Sequence, residues 1–321
     1  MSRVGRNLPL LLFAVFVVGL SFAYAENAVW EKEVQAGDKA KEAGRLSEAE
    51  AMYKKALALI EKPHSYDNQV AIVLDKLGDV YRTQKEYEKA EGFYRRAITI
   101  FEWNKGADDL VVADTLNKLA NCYNHLEGHY MLVEALYQRV LAIREKILGP
   151  DHPDVADSLD SLGLALYFPA GRLAQGVPLF ERALAIREKA FGPDHPKVAV
   201  SLSTLAFFYD ASGNYKKAEP LYQRALEIRE KSLGPDAPDT LQSVYNLGML
   251  YRLSHQYDKA EIFHKRRLLS LERLRGPDHP DVAMALGLYA SVLQEMGRLS
   301  EAEALQSRAK LIEEKSKKDS N

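Results

Sequence analysis

A five-residue segment, Gly-Pro-Asp-His-Pro, recurs at nearly fixed spacing and constrains the fold more than any other feature of the chain. It begins at Gly149, Gly192 and Gly276, and a copy with alanine in place of histidine begins at Gly234. Successive copies start 43, 42 and 42 residues apart, and Gly106 lies 43 residues before the first. Periods of about 20 to 50 residues are typical of solenoid and array proteins. The sequence therefore predicts a repeating unit, although 321 residues would otherwise indicate about two compact domains.

Between these segments the apolar residues fall at helical spacing. Over Leu202–Tyr209 they occur at offsets 0, 3, 4 and 7, which places them on one helix face. A second helical pattern follows over Ala218–Ala225, so each unit is predicted to be a helical hairpin. Glycine or alanine at offset 4 would let the two helices approach closely, with an aromatic ring filling the remaining space. The array is expected to span residues 29–312, before a polar tail over 313–321, with hairpins starting near Val29, Val70, Val112, Val155, Val198, Thr240 and Val282.

The recurring segment is suited to end one helix and begin the next. Gly149 is expected at a helix C-cap, Asp151 is expected to cap the following helix, and Pro153 fits its first turn. The Ile-Arg-Glu-Lys runs that begin at residues 143, 186 and 228 carry mixed charge and are predicted to be solvated helix ends. At His264 and Arg267 the sixth repeat departs from its tyrosine and alanine pattern, which predicts an altered contact between repeats six and seven.

The histidines are expected to be structural. Neighbouring hairpins pack about 10 Å apart, whereas zinc ligands lie about 2 Å from the metal. Equivalent histidines such as His152 and His195 therefore cannot share an ion. His125 and His129 lie four residues apart but straddle a predicted turn, with no third ligand evident. We expect no metal site and no cofactor.

No signature of catalysis occurs in the sequence. Phosphate-binding loops, dinucleotide-binding glycine patterns, zinc-protease motifs and nucleophile elbows are all absent. The single cysteine, Cys122, is predicted to be a buried, inert thiol. The 43 basic and 45 acidic residues give a net charge of -2, which provides no electrostatic reason for nucleic-acid binding. The sequence favours a protein that is not an enzyme.

The N-terminus has the three-part pattern of a secretory signal peptide. Arg3 and Arg6 precede an apolar stretch over residues 8–20, and Ala23-Tyr24-Ala25 supplies a cleavage site. We expect cleavage after Ala25 and a periplasmic or secreted protein without a membrane span in its mature form. The alternative is an uncleaved N-terminal anchor, because residues 8–25 could just cross a bilayer.

The repeat itself resembles that of a known family. The pattern L-x-x-L-G/A-x-x-Y, followed by G-x-Y-x-x-A-E-x-x-Y-x-R-A-L, is present over Leu202–Leu226. A-I-R-E-K-x-x-G-P-D-H-P-x-V-A is present over Ala142–Ala156 and Ala185–Ala199. These residues resemble the tetratricopeptide repeat (TPR) family, in the 42-residue form found in kinesin light chains. The resemblance implies an all-α, right-handed superhelical TPR solenoid of about seven helical hairpins.

In that family a concave groove binds a peptide or a partner helix. The groove is lined mainly by the positions one, five and eight residues after the first leucine of each hairpin. We expect the asparagines of repeat three to hold a peptide backbone and the apolar residues of repeats four to six to take apolar side chains. With the adjacent Asn246, the candidates carried over are Asp75, Asp79, Arg82, Asn117, Asn121, Asn124, Asp160, Leu164, Tyr167, Ser203, Phe207, Asp210, Tyr245, Asn246, Met249 and Arg252.

The expected function is a non-enzymatic scaffold that binds another protein or peptide along this groove. The alternative is a structural part of a cell-envelope complex, which assembles through end-to-end or edge packing. Oligomers through the C-terminal repeat are compatible with either function.

Overall fold

The computed structural model describes residues 29–63, 66–126, 128–167 and 172–319. The predicted signal peptide and the alternative membrane anchor lie outside these residues. Within them the chain forms fourteen helices and no strand, so the all-α prediction is confirmed. The helices are α1 (29–42), α2 (Leu46–Ile60), α3 (Asn68–Thr83), α4 (Tyr87–Lys105), α5 (Leu110–Tyr123), α6 (Tyr130–Leu148), α7 (Pro153–Tyr167), α8 (Leu173–Phe191), α9 (Pro196–Ala211), α10 (Tyr215–Leu233), α11 (Pro238–Leu253), α12 (Tyr257–Arg275), α13 (Pro280–Glu295) and α14 (Leu299–Asp319).

Consecutive helices pair into seven hairpins, which divide between two compact units. Unit 1 ends at Pro150 and contains hairpins 1 to 3, and unit 2 begins at Asp151 and contains hairpins 4 to 7. Inside each unit, the second helix of one hairpin packs against the first helix of the next. This holds for α2 and α3 and for α4 and α5 in unit 1, and for α8 and α9, α10 and α11, and α12 and α13 in unit 2. Each unit is therefore built from nearest-neighbour contacts.

Within a hairpin, a glycine on the first helix meets an aromatic ring on the second. A Cβ added to Gly78 would lie 2.5 Å from Cε1 of Tyr94, whose side chain is fully buried. Gly163 has the same relation to Phe180, where the added Cβ would lie 2.5 Å from the ring. Because a ring fills the space of the missing side chain, the predicted glycine and aromatic packing is confirmed.

Tyrosine hydroxyls on five of the first helices bond to the hairpin before them. The tyrosine stands at offset 7 in repeats two, three, five and six and at offset 3 in repeat seven, and it donates to a glutamate on the preceding second helix. The oxygen-to-oxygen distances lie between 2.7 and 2.8 Å in four pairs. Repeat four has Leu166 at offset 7 and so has no hydroxyl there. The pairs are Tyr81 with Glu50, Tyr123 with Glu91, Tyr209 with Glu181, Tyr251 with Glu219 and Tyr289 with Glu261.

The recurring segment caps its helices differently from the prediction. Gly149 does end α6, with a φ of 87°. Asp151 was predicted to cap the next helix, but its carboxylate pairs with Lys189 instead. The cap is the histidine, because the helix starts at the proline that follows it. Nδ1 of His195 accepts a hydrogen bond from the backbone N–H of Lys197 at 3.1 Å, and His152 and His279 make the equivalent bond.

Ala237 occupies the cap position of α11 and provides no side-chain acceptor. We expect Ala237→Asn to raise the free energy of unfolding by about 1 kcal/mol, because asparagine can accept a backbone hydrogen bond at the helix start. His195→Ala should lower it by about the same amount, and His195→Asp should restore most of the loss. Chemical denaturation followed by circular dichroism measures all three, and a His195→Ala variant as stable as the parent would contradict the capping role.

Two arginines of the Ile-Arg-Glu-Lys runs are buried, contrary to the prediction of solvated helix ends. Arg187 and Arg229 expose 7% and 9% of their surface. Arg187 donates to Asp157 at 2.5 Å and to Asp160 at 2.6 Å, and it also reaches Ser201. The prediction was wrong because these side chains lie back along α8 and α10 toward the first helices. There they find acceptors that charge patterning alone does not reveal.

The C-terminal helix extends further than the expected end of the array. The polar tail was placed over residues 313–321, but α14 continues to Asp319. Lys315 on this helix forms an ion pair with Asp278 at 2.6 Å. A lysine-rich helix end is favourable because cations interact with the negative C-terminal end of the helix dipole.

Candidate functional site

Unit 1 contains a groove with a volume of about 500 Å³, here called the polar groove. Three of the six candidates from repeats two and three line it, namely Asp75, Asp79 and Asn117. The remaining lining residues are Lys41, Ile72, Lys76, Phe101, Val111, Asp114, Thr115 and Lys118.

The two acidic candidates of the polar groove are paired with lysines of the same unit. Asp79 accepts hydrogen bonds from Lys41 at 3.0 Å and from Lys118 at 3.3 Å. Asp75 accepts from Lys118 at 2.6 Å. Burial opposes ionisation of Asp79, but the two lysines hold its pKa below the usual value. Burial outweighs the attraction of Lys118 at Asp75 and raises the pKa of that carboxyl. The charges of this groove are therefore largely compensated from within.

The other candidates of repeats two and three lie beside the groove and contact the protein itself. Oδ1 of Asn121 accepts a hydrogen bond from the Tyr137 hydroxyl at 2.8 Å, and Nδ2 of Asn124 donates to the same hydroxyl at 3.1 Å. Arg82 lies 3.9 Å from the Asp79 carboxylate. Two of the three asparagines expected to hold a peptide backbone thus fix Tyr137.

Unit 2 contains a second groove, with a volume of about 540 Å³, here called the apolar groove. Leu164 and Phe207 expose 45% and 46% of their surface, whereas most apolar residues of these helices are buried. Seven of the ten candidates from repeats four to six line it. The full lining is Leu164, Ser203, Thr204, Phe207, Phe208, Asp210, Tyr222, Gln242, Tyr245, Asn246, Met249 and Leu253.

Three candidates of unit 2 lie outside the apolar groove. Asp160 is engaged by Arg187 at 2.6 Å. Arg252 forms an ion pair with Glu295 at 3.1 Å. The ring of Tyr167 lies edge-on to that of Phe207, with centroids 6.2 Å apart. An aromatic side chain thus supports Phe207 from the neighbouring hairpin.

Most polar groups along the apolar groove already have partners. Ser203 accepts a hydrogen bond from Arg229 at 2.8 Å, and Asn246 accepts one from Gln242 at 2.9 Å. Asp210 differs, because its Oδ1 atom is buried and receives no hydrogen bond from the described residues. Burial raises the pKa of its carboxyl.

A further set of groove residues, not predicted from the sequence, shares one position in the repeat. Lys76, Lys118 and Thr204 line the two grooves two residues after the first leucine of their hairpins. Asn246 occupies the same position and was included only as the neighbour of Tyr245. Extending the position rule from one, five and eight to include two would have identified all of them.

His264 and Arg267 change the interior of hairpin 6. His264 packs against Gly248 of its own hairpin, and its Nε2 atom lies 3.0 Å from the place of a Cβ there. Its side chain is 2% exposed. The altered contact between repeats six and seven stays a prediction. Arg267 lies over the Tyr245 ring, with its Cζ atom 5.2 Å from the centroid. Burial, with the charges of Arg252 and Arg267, lowers the pKa of His264 to about 4.

This low pKa predicts a loss of stability in acid. In the unfolded chain a histidine binds a proton near pH 6.5, whereas folded His264 stays neutral down to about pH 4. The unfolded state therefore binds more protons between these values, and the free energy of unfolding should fall by up to about 3 kcal/mol as the pH drops across this window. His264→Tyr should lose less over the same range. Urea denaturation of both proteins at pH 7, 5.5 and 4 measures the difference, and parallel pH profiles would contradict it.

Cys122 is buried as predicted. It is fully inaccessible to solvent, and burial raises the pKa of its thiol to about 11, which disfavours the reactive thiolate. His125 and His129 stack on Tyr87 and Tyr123, respectively. Among the residues that the structure describes, no three His, Cys, Asp or Glu side chains are grouped to hold a metal ion. No helix in the same part of the chain has the length and apolar character needed to span a bilayer.

Comparisons with known proteins agree with the repeat. The tetratricopeptide repeat model matches residues 36–102, 111–168, 165–231 and 202–268. No curated protein matches the chain.

Solved structures show the same fold. BtubC (BKLC) from P. vanneervenii is 23% identical over 74% of this chain and 91% of its own, with a TM-score of 0.60. The TPR-like repeats of a Podosopora anserina kinesin light chain are 25% identical over 65% and 98%, with a TM-score of 0.59. RapI is 18% identical over 90% and 99%, with a TM-score of 0.60. With helical hairpins of the same spacing and packing, the chain belongs to the tetratricopeptide repeat family, in its kinesin-light-chain-like form.

Proposed function

We propose that the protein is a non-enzymatic scaffold that binds an extended peptide segment of a partner protein in the apolar groove. The repeat family and the fold support a protein-interaction scaffold in general terms. The choice of groove depends on this molecule, because the apolar groove exposes apolar side chains, whereas the charges of the polar groove are paired within the protein.

One observation carries the proposal, namely the exposure of apolar side chains along the apolar groove. Leu164 and Phe207 are each nearly half exposed, and Tyr245 and Met249 lie along the same groove. Aromatic and methionine side chains are enriched at protein interfaces, and aromatic ones often dominate the binding energy. In the polar groove, by contrast, a ligand would have to compete with the lysine and aspartate pairs.

Panning a random peptide library on the purified protein tests the proposal. We expect peptides that bind the parent protein to lose at least about tenfold in affinity on Phe207→Ala, as truncation of a central aromatic anchor does. Tyr245→Ala should have a similar effect. Leu269→Ala is the matched control, because Leu269 is 56% exposed and lies outside the apolar groove.

Peptides that bind all three variants with the parent's affinity would overturn the choice of groove. Circular dichroism of each variant checks that the helices are retained. Phe207 is exposed, so its truncation removes little core packing and should leave the protein folded.

Export is part of the proposal. The basic, apolar and small-residue segments over residues 3–25 support a signal peptide that is removed after Ala25. Mass spectrometry of the protein from its native source should find Glu26 as the first residue. A chain that begins at residue 1 and stays with the membrane fraction would favour the N-terminal anchor instead.

A further inference from the structure

Asp210 places an uncompensated carboxylate inside the apolar groove. It lies near the end of α9, and its Oδ1 atom is buried without a hydrogen-bond donor from the described residues. Burial raises the pKa of its carboxyl, and no cation of the described residues is among the causes of that shift. The negative charge of Asp210 contributes to raising the pKa of Tyr222, which also lines the groove. A half-buried carboxylate that has lost part of its hydration without gaining a cation is destabilising.

The other aspartates at candidate groove positions are supplied with cations by the protein. Asp75 and Asp79 receive Lys118, and Asp160 receives Arg187. Among the described residues, no cation forms an ion pair with Asp210. Arg252, on the next hairpin, is engaged with Glu295, and Arg229 donates to Ser203 and Ser243. The missing cation at Asp210 is therefore a particular feature of this groove.

The surroundings of Asp210 suit a long side chain with a charged end. Phe207 and Leu253 provide exposed apolar surface for a methylene stem, and the Phe207 ring can also face a cation. The groove volume of about 540 Å³ is large enough for such a side chain together with an apolar neighbour. A glutamate in the same place would meet the Asp210 charge and be repelled.

We propose that the apolar groove selects peptide segments of its partner that carry a lysine or arginine side chain beside an apolar residue, with the cationic end paired to Asp210. This inference rests on the proposed function and specifies the chemistry of the ligand. The stem of the basic residue lies along Phe207 and Leu253, and its head pairs with the Asp210 carboxylate where that side chain lines the groove.

Met249 provides a reporter at the site. The chain has six methionines, and Met249 is the one that lines the apolar groove. With ¹³C-methyl methionine labelling, its methyl signal can be titrated with acetylated and amidated tripeptides. The four probes are Leu-Lys-Leu, Leu-Arg-Leu, Leu-Nle-Leu, in which norleucine keeps the stem without the charge, and Leu-Glu-Leu. Met52, which does not line the groove, is the internal control.

We expect the lysine and arginine peptides to shift the Met249 signal with about tenfold higher affinity than the norleucine peptide, as one charge-assisted hydrogen bond provides. Asp210→Asn should remove this preference while leaving the norleucine peptide unchanged, and Met52 should not respond. Asparagine keeps the shape of the side chain and removes a buried charge, so the variant should melt no lower than the parent.

Equal affinities for the lysine and norleucine peptides, a preference for the glutamate peptide, or a lysine preference that survives Asp210→Asn would each overturn the inference. The proposed function fails by a different result. If peptides from the library depend on Phe207 but not on Asp210, the groove is a binding site and the inference about its ligand is wrong. If no peptide's affinity depends on Phe207, the proposed function itself is wrong.

Discussion

Replacing Arg187 with alanine is expected to lower the free energy of unfolding by about 3 to 5 kcal/mol, because it leaves a buried carboxylate without its cation. Arg187 is 7% exposed and bridges Asp157, Asp160 and Ser201. Asp160 has a side chain only 21% exposed, so water can replace the lost partner only in part. Urea denaturation followed by circular dichroism measures the loss.

Arg229 provides a control at the equivalent position of the next repeat. Its guanidinium is also buried, but its hydrogen bonds go to Ser203 and Ser243. Arg229→Ala should therefore cost about 1 to 2 kcal/mol, the value of a lost hydrogen bond with some packing. If both substitutions lowered the free energy of unfolding equally, the unpaired carboxylates would not contribute to the effect of Arg187→Ala. A double variant, Arg187→Met with Asp160→Asn, should recover part of the Arg187→Ala loss, because no charge remains unpaired at Asp160.

Tyr209→Ala is expected to cost about 3 to 5 kcal/mol, as other removals of buried aromatic side chains do. Tyr209 is 8% exposed, packs in the core of unit 2, and donates a hydrogen bond to Glu181 on the preceding hairpin. Tyr209→Phe keeps the ring and removes only that bond, so it should cost about 1 kcal/mol. Differential scanning calorimetry distinguishes the two variants.

The shape of the melting curve carries further information. Hairpins couple mainly to their neighbours, so loss of the Tyr209 ring should broaden or split the transition of the alanine variant. The phenylalanine variant should keep the shape of the parent's transition. A single sharp transition with an unchanged midpoint for Tyr209→Ala would contradict the role of this side chain.

The hairpins and their interior packing could be predicted because the same residue pattern recurs in each repeat. Gly78 with Tyr94 and Gly163 with Phe180 follow one pattern, and local spacing is enough to place both partners on facing helices. The caps were misassigned by one residue, because the prediction chose the residue type that favours a cap, Asp151. In the structure the cap is instead the residue directly before the first proline of the helix, His152.

The environments of the arginines could not be predicted from the repeat. Arg187 and Arg229 occupy the same position in two Ile-Arg-Glu-Lys runs. Their hydrogen-bond partners differ because the first helices of their hairpins differ in sequence. Asp157 and Asp160 in repeat four correspond to Val200 and Ser203 in repeat five. Finding these partners requires the register between two helices. The same limit applies to Asp210, since the sequence placed it in the groove but could not show whether a cation of the described residues pairs with it.

The links between hairpins have a consequence for the order in which the chain folds. The tyrosine and glutamate bond of Tyr209 spans 28 residues, and the ion pair of Arg252 with Glu295 spans 43. Contacts this local allow fast folding, because little loop entropy is lost before they form. Within each unit, a newly synthesised hairpin finds its packing partner in the hairpin before it. The array can thus assemble in the direction of synthesis, one repeat after another, without waiting for its C-terminus.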